Sequence, residues 1–174
     1  SGPLQDYPLG QIQLTGKAKW QRLAKMGPTD IPQDYLEYLS HHSVDWWVTT
    51  EDLPDPSNRV TLTAAGQIKV NFTPNNLKPH FELISVLEQH LKQLGFYMFW
   101  HKRMDVGVLW HQIGTCRFGP DPKTSVLDLN CRAHDVENLY VVDSSFMPSM
   151  GAMNPTLTIF ANALRVADHL KSSG

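Results

Sequence analysis

Two stretches of the chain hold residues that could do chemistry. In LWHQIGTCRFG (109–119), His111 ends an apolar run and stands ahead of Gly114, where a tight turn is sterically free. An imidazole, with an unperturbed pKa near ~6.5, is the ordinary general base at physiological pH. The same residue fits a plain structural role, and Trp110 beside it fits a core. In YVVDSSFMPSMGAMNPTLT (140–158), Asp143 follows an apolar run, at the point where strands of open α/β sheets carry ligand-binding residues. Asn154 is a favoured N-cap and Pro155 a favoured first helical residue. The free N–H groups and positive dipole end of such a helix suit an anion or an electron-rich carbonyl. Asn154 can equally cap its helix and bind nothing.

Other polar residues point to no site. His41 and His42 are adjacent, so their rings rarely face one ligand, and His80 and His90 lack the i, i+4 spacing of a helical metal pair. His101, Lys102 and Arg103 read as a solvated basic face. Cys116 and Cys131 form no CxxC pair, so no metal site is expected. Two reduced thiols fit a cytoplasmic protein. Fifteen Lys and Arg stand against seventeen Asp and Glu, giving a net charge of −2 with no basic run, which argues against a nucleic-acid partner. No apolar run approaches the ~18 residues of a membrane span, and no signal-peptide pattern opens the sequence. Neither GxGxxG nor a P-loop is present, so no phosphate-binding fingerprint can be read.

The elements that would position these residues follow from periodicity. Residues 17–26 and 32–40 suit short helices, the first stopped by Gly27-Pro28. Val44 to Thr50 is β-branched and aromatic and suits a strand. RVTLTAAGQIKVNF alternates apolar and polar residues around Gly66, the pattern of a hairpin. Residues 79–94 place Ile84, Leu87, Leu91 and Leu94 on one helical face, with Gly95 as the stop. Strands are expected at 106–110 and 125–128. Leu139–Val142 is apolar on both faces, as in a covered parallel strand. A helix over 151–170 is expected to bury Leu157, Phe160, Leu164 and Ala167 on one face, and Ile159, Ala163, Val166 and Leu170 on another. Asn162 falls on a polar stripe between them. The fold class expected is α/β (α+β). A lone parallel-type strand with its helix needs neighbouring strands, so the chain reads as the end of a larger protein.

WHQIGTCRFG, SVLDLNCRAHDVENLYVVDSSFMPS and NPTLTIFANALRVADHL, in that order, resemble the C-terminal end of the glucose–methanol–choline (GMC) flavoprotein oxidoreductases. YPLGQIQLTGK is similar to a mid-chain segment of the same family. The strong similarity covers residues 106–171. It implies a mainly antiparallel substrate-domain sheet with flanking helices, joined to the last strand and helix of a Rossmann-like FAD domain. The implied divisions are a linking segment with short helices (1–43), a substrate-domain part with the catalytic-histidine segment (44–137), and the C-terminal FAD-domain strand and helix (138–174). The resemblance places the family's catalytic histidine on His111 and its partner on Asn154. Asp143 and Ser144, with Asn154, Pro155 and Thr156, would meet the flavin. The implied reaction oxidises an alcohol or sugar hydroxyl by hydride transfer to FAD. FAD itself would not be held by this chain alone, because the dinucleotide fingerprint belongs to the family's N-terminal half. Two other readings stay open: a non-catalytic homologue serving as a binding or assembly module, and the separate subunit of a split flavoenzyme. Self-association of the chain is a further expectation.

Overall fold

Residues 9–27, 30–104, 107 and 111–173 are described by the structure, a computed structural model. Two units alternate along the chain: Ser1–Thr50 with Lys78–Asp105, and Glu51–Leu77 with Val106–Gly174.

In the first unit, strand β1 (Gln11–Leu14) pairs antiparallel with β2 (Trp46–Thr49), from Gln11 opposite Thr49 to Leu14 opposite Trp46. Gly10 is required beside them, because a Cβ there would lie 2.1 Å from the Thr49 carbonyl oxygen. Asp45 ties the chain together ahead of β2. Its carboxylate accepts from the Ala18 N–H at 2.8 Å, and its carbonyl accepts from the Thr15 N–H and hydroxyl. Helices α1 (Trp20–Met26) and α2 (Gln33–His42) follow, with Leu23 and Leu36 buried. The histidine pair ends α2: the His42 ring donates to the Tyr38 carbonyl at 2.7 Å and stacks on the Tyr38 ring. Helix α3 (Leu77–Gln93) buries Leu83 and Leu91, while Leu94 lies past its end and is exposed. Gly95, at φ +91°, lets the Phe96 N–H reach back to the Leu91 carbonyl at 3.0 Å, closing the helix as its glycine predicts.

In the second unit, β3 (Arg59–Leu62) and β4 (Ile68–Asn71) form the expected hairpin, with Gly66 at φ +75° in its turn. Asn58 closes the open end, its side chain bonding both the N–H and the carbonyl of Thr73. The two sheets are separate antiparallel pairs, so the architecture is mixed, of α+β character.

The core of this unit lies elsewhere, around Leu127, Cys131, Ala133, Phe146 and Val166, with Phe118, Val141 and Val142 packed on it. Here the structure departs from the expected strands. Residues 125–128 and 139–142 form no ladders. Single bridges join Phe118 to Leu127, Leu127 to Ala133 and Arg132 to Tyr140. An apolar run favours an extended backbone, but a ladder also needs a partner strand. The expected strand over 106–110 lies largely outside the described residues.

Helix α4 (Thr156–Ser173) is fastened to this core by one narrow face. Val166 is buried, and so is Asn162, whose amide donates to the Cys131 sulfur at 3.4 Å. Arg165 donates to the Asn162 carbonyl oxygen at 2.9 Å. The polar stripe is thus covered at Asn162, which packs on the same face as Val166. Leu157, Phe160 and Leu164, expected to be buried, are exposed. The sequence marked them as apolar but could not say what covers them.

Candidate functional site

The connection from Asp143 to Met153 is the frame on which the candidate residues hang, and all of them belong to the second unit. Asp143 opens a short 3-10 turn (Ser144–Phe146). Its carboxylate accepts from the Ser145 N–H at 2.8 Å and from the Ser145 hydroxyl, which fixes the turn locally.

The stretch after His111 runs beside this turn. The Ser144 hydroxyl donates to the Gln112 carbonyl at 2.8 Å, the Cys116 N–H to the Ser145 carbonyl at 3.0 Å, and the Phe118 N–H to the Phe146 carbonyl at 3.1 Å. Gly114 lies between them at φ +82°, and a Cβ there would sit 3.5 Å from the Met147 carbonyl oxygen. Phe118 and Phe146 meet edge to face, 5.5 Å between centroids, which anchors the pairing in the core. The segment that carries His111 is thus bonded to the turn that carries Asp143 and Ser144. His111 itself is exposed.

At the other end of the connection, Asn154 is also exposed and Pro155 is buried. The helix begins one residue later than the sequence suggests. The Ile159 N–H bonds the Pro155 carbonyl at 3.0 Å, so Pro155 takes the cap position and Thr156 the first helical one. Asn154 precedes the cap. The first turn of α4 holds no Asp or Glu, so nothing acidic within the helix offsets its positive end.

Sequence reasoning missed the residues that hold the connection at its middle. Glu51 accepts a hydrogen bond from the Ser149 hydroxyl at 2.8 Å, and the Asp52 N–H bonds the Met150 carbonyl at 3.3 Å in an antiparallel bridge. Burial raises the Asp52 pKa above its ordinary 3.8. Contacts across such a separation leave no periodic signal, so only a pair-contact signal could have found them.

A concavity of ≈ 450 Å³ in the first unit, lined by Lys17, Ala18, Lys19, Gln21, Arg22 and Lys25, includes none of the candidate residues. Two of its cations are already engaged: Lys17 donates to the Ser43 carbonyl, and Arg22 lies over the Trp47 ring. Among the described residues, no three His, Cys, Asp or Glu side chains group to hold a metal, and no helix is long and apolar enough to cross a membrane.

Comparison with known proteins identifies the family. The family model for the C-terminal part of the GMC oxidoreductases matches residues 22–163. Paromamine 6'-oxidase of Streptomyces fradiae is 38% identical over 125 residues, 67% of this chain and 23% of that protein. 2-methyl-1,2-propanediol dehydrogenase of Mycolicibacterium austroafricanum is 36% identical over 134 residues, 69% of this chain and 24% of that protein. The mitochondrial choline dehydrogenase of Homo sapiens is 30% identical over 156 residues, 87% of this chain and 23% of that protein. The chain spans about a quarter of the length of these relatives. The family acts on alcohol and sugar hydroxyls and is generally FAD-dependent. With most of its length matched by the family model, this chain belongs to the GMC oxidoreductase family.

Proposed function

We propose that the chain is the C-terminal part of a flavoprotein that oxidises an alcohol or sugar hydroxyl, and that it works only with an N-terminal FAD-binding half. One observation carries the reading. The His111 segment and the Asp143 turn are bonded together, and the same connection ends at Asn154 and a helix start with no acidic residue in its first turn. The division into a linking segment (1–43), a substrate-domain part (44–137) and a Rossmann-like FAD-domain tail (138–174) goes with this reading. A cytoplasmic setting suits the two unbridged thiols.

The residues present fit one end of a flavin. The N-terminal turn of the long helix α4 is exposed at Thr156, Leu157 and Thr158, and its free N–H groups suit an electron-rich carbonyl edge. Asp143 and Ser144, with the Asn154–Thr156 backbone, would hold that end. No glycine-rich loop for the phosphates occurs in the sequence, so the rest of the cofactor belongs to the other half. Bound FAD supplies the acceptor for the hydride of the alcohol carbon.

The chain's own part is proton handling and positioning. The His111 imidazole takes the hydroxyl proton as the alcohol carbon is oxidised. The Asn154 side chain bonds the same oxygen and fixes its orientation. The positive end of α4 favours negative charge building up beside it, by up to ~2 kcal/mol where partly buried.

The test has two parts. The isolated chain, mixed with FAD, is expected to show no bound flavin band; a bound, reducible flavin would overturn the need for the other half. In the complete polypeptide, anaerobic flavin reduction is followed with paromamine, 2-methyl-1,2-propanediol and choline as probe alcohols. His111→Ala is expected to slow reduction about 10²–10⁴-fold while flavin stays bound. Unchanged reduction by that variant, or no reduction of the wild type by any of the three, would refute the reading.

A further inference from the structure

The connection that ends at Asn154 is held from a distant part of the sequence. Glu51 accepts from the Ser149 hydroxyl at 2.8 Å, and the bond is charge-assisted because the acceptor is a carboxylate. The Asp52 N–H bonds the Met150 carbonyl next to it, which fixes two successive residues of the connection. Glu51 is itself held from behind, its carbonyl accepting from the Asn76 amide at 2.9 Å. Asn75 braces Leu53, two residues on, bonding both its N–H and its carbonyl.

Between this grip and Asn154 lie only Gly151, Ala152 and Met153. Ala152 is buried at φ +60°, a conformation that a non-glycine residue holds only where its surroundings over-determine it. A buried, left-handed residue is a stiff link, so the position of Ser149 and Met150 passes to Asn154 with little slack. Pro155, buried just beyond, fixes the other side of Asn154.

We infer that Glu51 is a positioning residue: its carboxylate, through Ser149, sets the placement of Asn154 at the start of α4. The inference rests on the proposed alcohol oxidation. The chemistry at Asn154 needs a hydrogen bond directed at one oxygen. Displacement of reacting groups by about 1 Å can cost on the order of 10²-fold in rate. The Glu51 carboxylate neither donates nor takes a proton in this role. It needs only to accept from a hydroxyl, so glutamine can substitute for it.

The experiment uses the complete flavin-loaded polypeptide and the fastest of the three probe alcohols, with rates expressed per bound flavin. Glu51→Ala is expected to lower kcat about 10–10²-fold with KM little changed, and Glu51→Gln to restore most of the loss. Ser149→Ala, which removes only a hydroxyl, is expected to match Glu51→Ala, and the double variant to be no worse than either, because all remove the same bond. Wild-type kcat in Ser149→Ala, a kcat loss that merely follows lost flavin or lost folded protein, or a Glu51→Gln as slow as Glu51→Ala would each overturn the inference. His111→Ala runs alongside. If it is slow while Ser149→Ala is fast, only the positioning role fails; if it is fast, the reading of the site fails and the inference with it.

Discussion

The two faces of α4 predict opposite responses to substitution. Leu157, Phe160 and Leu164, at i, i+3 and i+7, are 81%, 62% and 69% exposed, whereas Val166 on the fastened face is 2% exposed. Completely burying a leucine or phenylalanine side chain contributes about 1.5–3 kcal/mol, so the uncovered share of these three amounts to about 3–6 kcal/mol not yet realised. Replacing all three by glutamine should therefore leave the stability of the isolated chain within about 0.5 kcal/mol per site. Val166→Ala, which deletes two buried methyl groups, should cost about 2 kcal/mol. Against any surface that covers this face, at about 1.4 kcal/mol per decade, the triple variant should bind two to four decades more weakly. For the isolated chain the assays are denaturant midpoints and light scattering over a concentration series. The wild type is expected to self-associate and the triple variant to be monomeric. A monodisperse wild-type monomer would refute the self-association. A triple variant destabilised as much as Val166→Ala would refute the uncovered face itself.

Two further predictions concern pH. Burial first and the Arg103 charge second lower the His80 pKa below 6.5, so its contribution to stability is full above that pH and is lost as the pH falls through the lowered value. Urea midpoints should therefore drop with acidification below about 6.5, and His80→Gln should flatten that part of the profile; an equal drop in the variant would assign it to another group. Burial raises the Asp52 pKa above 3.8, so its contribution is full below 3.8 and is lost as the pH rises through the raised value. Asp52→Asn should thus raise the melting temperature at neutral pH, with the gain vanishing below pH 3.8, and a gain that persists in acid would point to a cause other than charge.

Local patterns in the sequence were enough to locate the hairpin, α3 and α4. Alternation around Gly66, and Leu87 and Leu91 one turn apart before Gly95, each depend on near neighbours in the chain. β1 went unread because Gln11–Leu14, although it alternates polar and apolar residues, is only four residues long. Residues 125–128 and 139–142 were read as strands because apolar content reports an extended tendency, while a ladder is decided by what lies alongside. Asn162 was assigned to a polar stripe because its type is polar, and only the approach of Cys131 and Arg165 makes its burial tolerable. At the candidate site, spacing alone left His111 and Asn154 open to a structural role, and the order of the motif words singled them out. Glu51 could not be found in this way. Its partner Ser149 belongs to a different stretch of the second unit, and nothing local in either stretch marks the pair.

The alternation of the two units along the chain bears on how the protein can be assembled and altered. The second unit resumes only after an excursion from Lys78 to Asp105 through the first, so no single cut releases either unit whole. During synthesis the hairpin must wait for residues beyond Val106 before its own unit can close. Yet the entropy of such a closure grows only with the logarithm of the length spanned, about 0.6 kcal/mol for each doubling. Relatives could therefore lengthen or shorten the excursion at the three crossings, after Thr50, Leu77 and Asp105, with little effect on the core around Leu127. Helix α3 and the Glu51 grip are in this sense on independent evolutionary clocks: one can change in length while the other keeps its register.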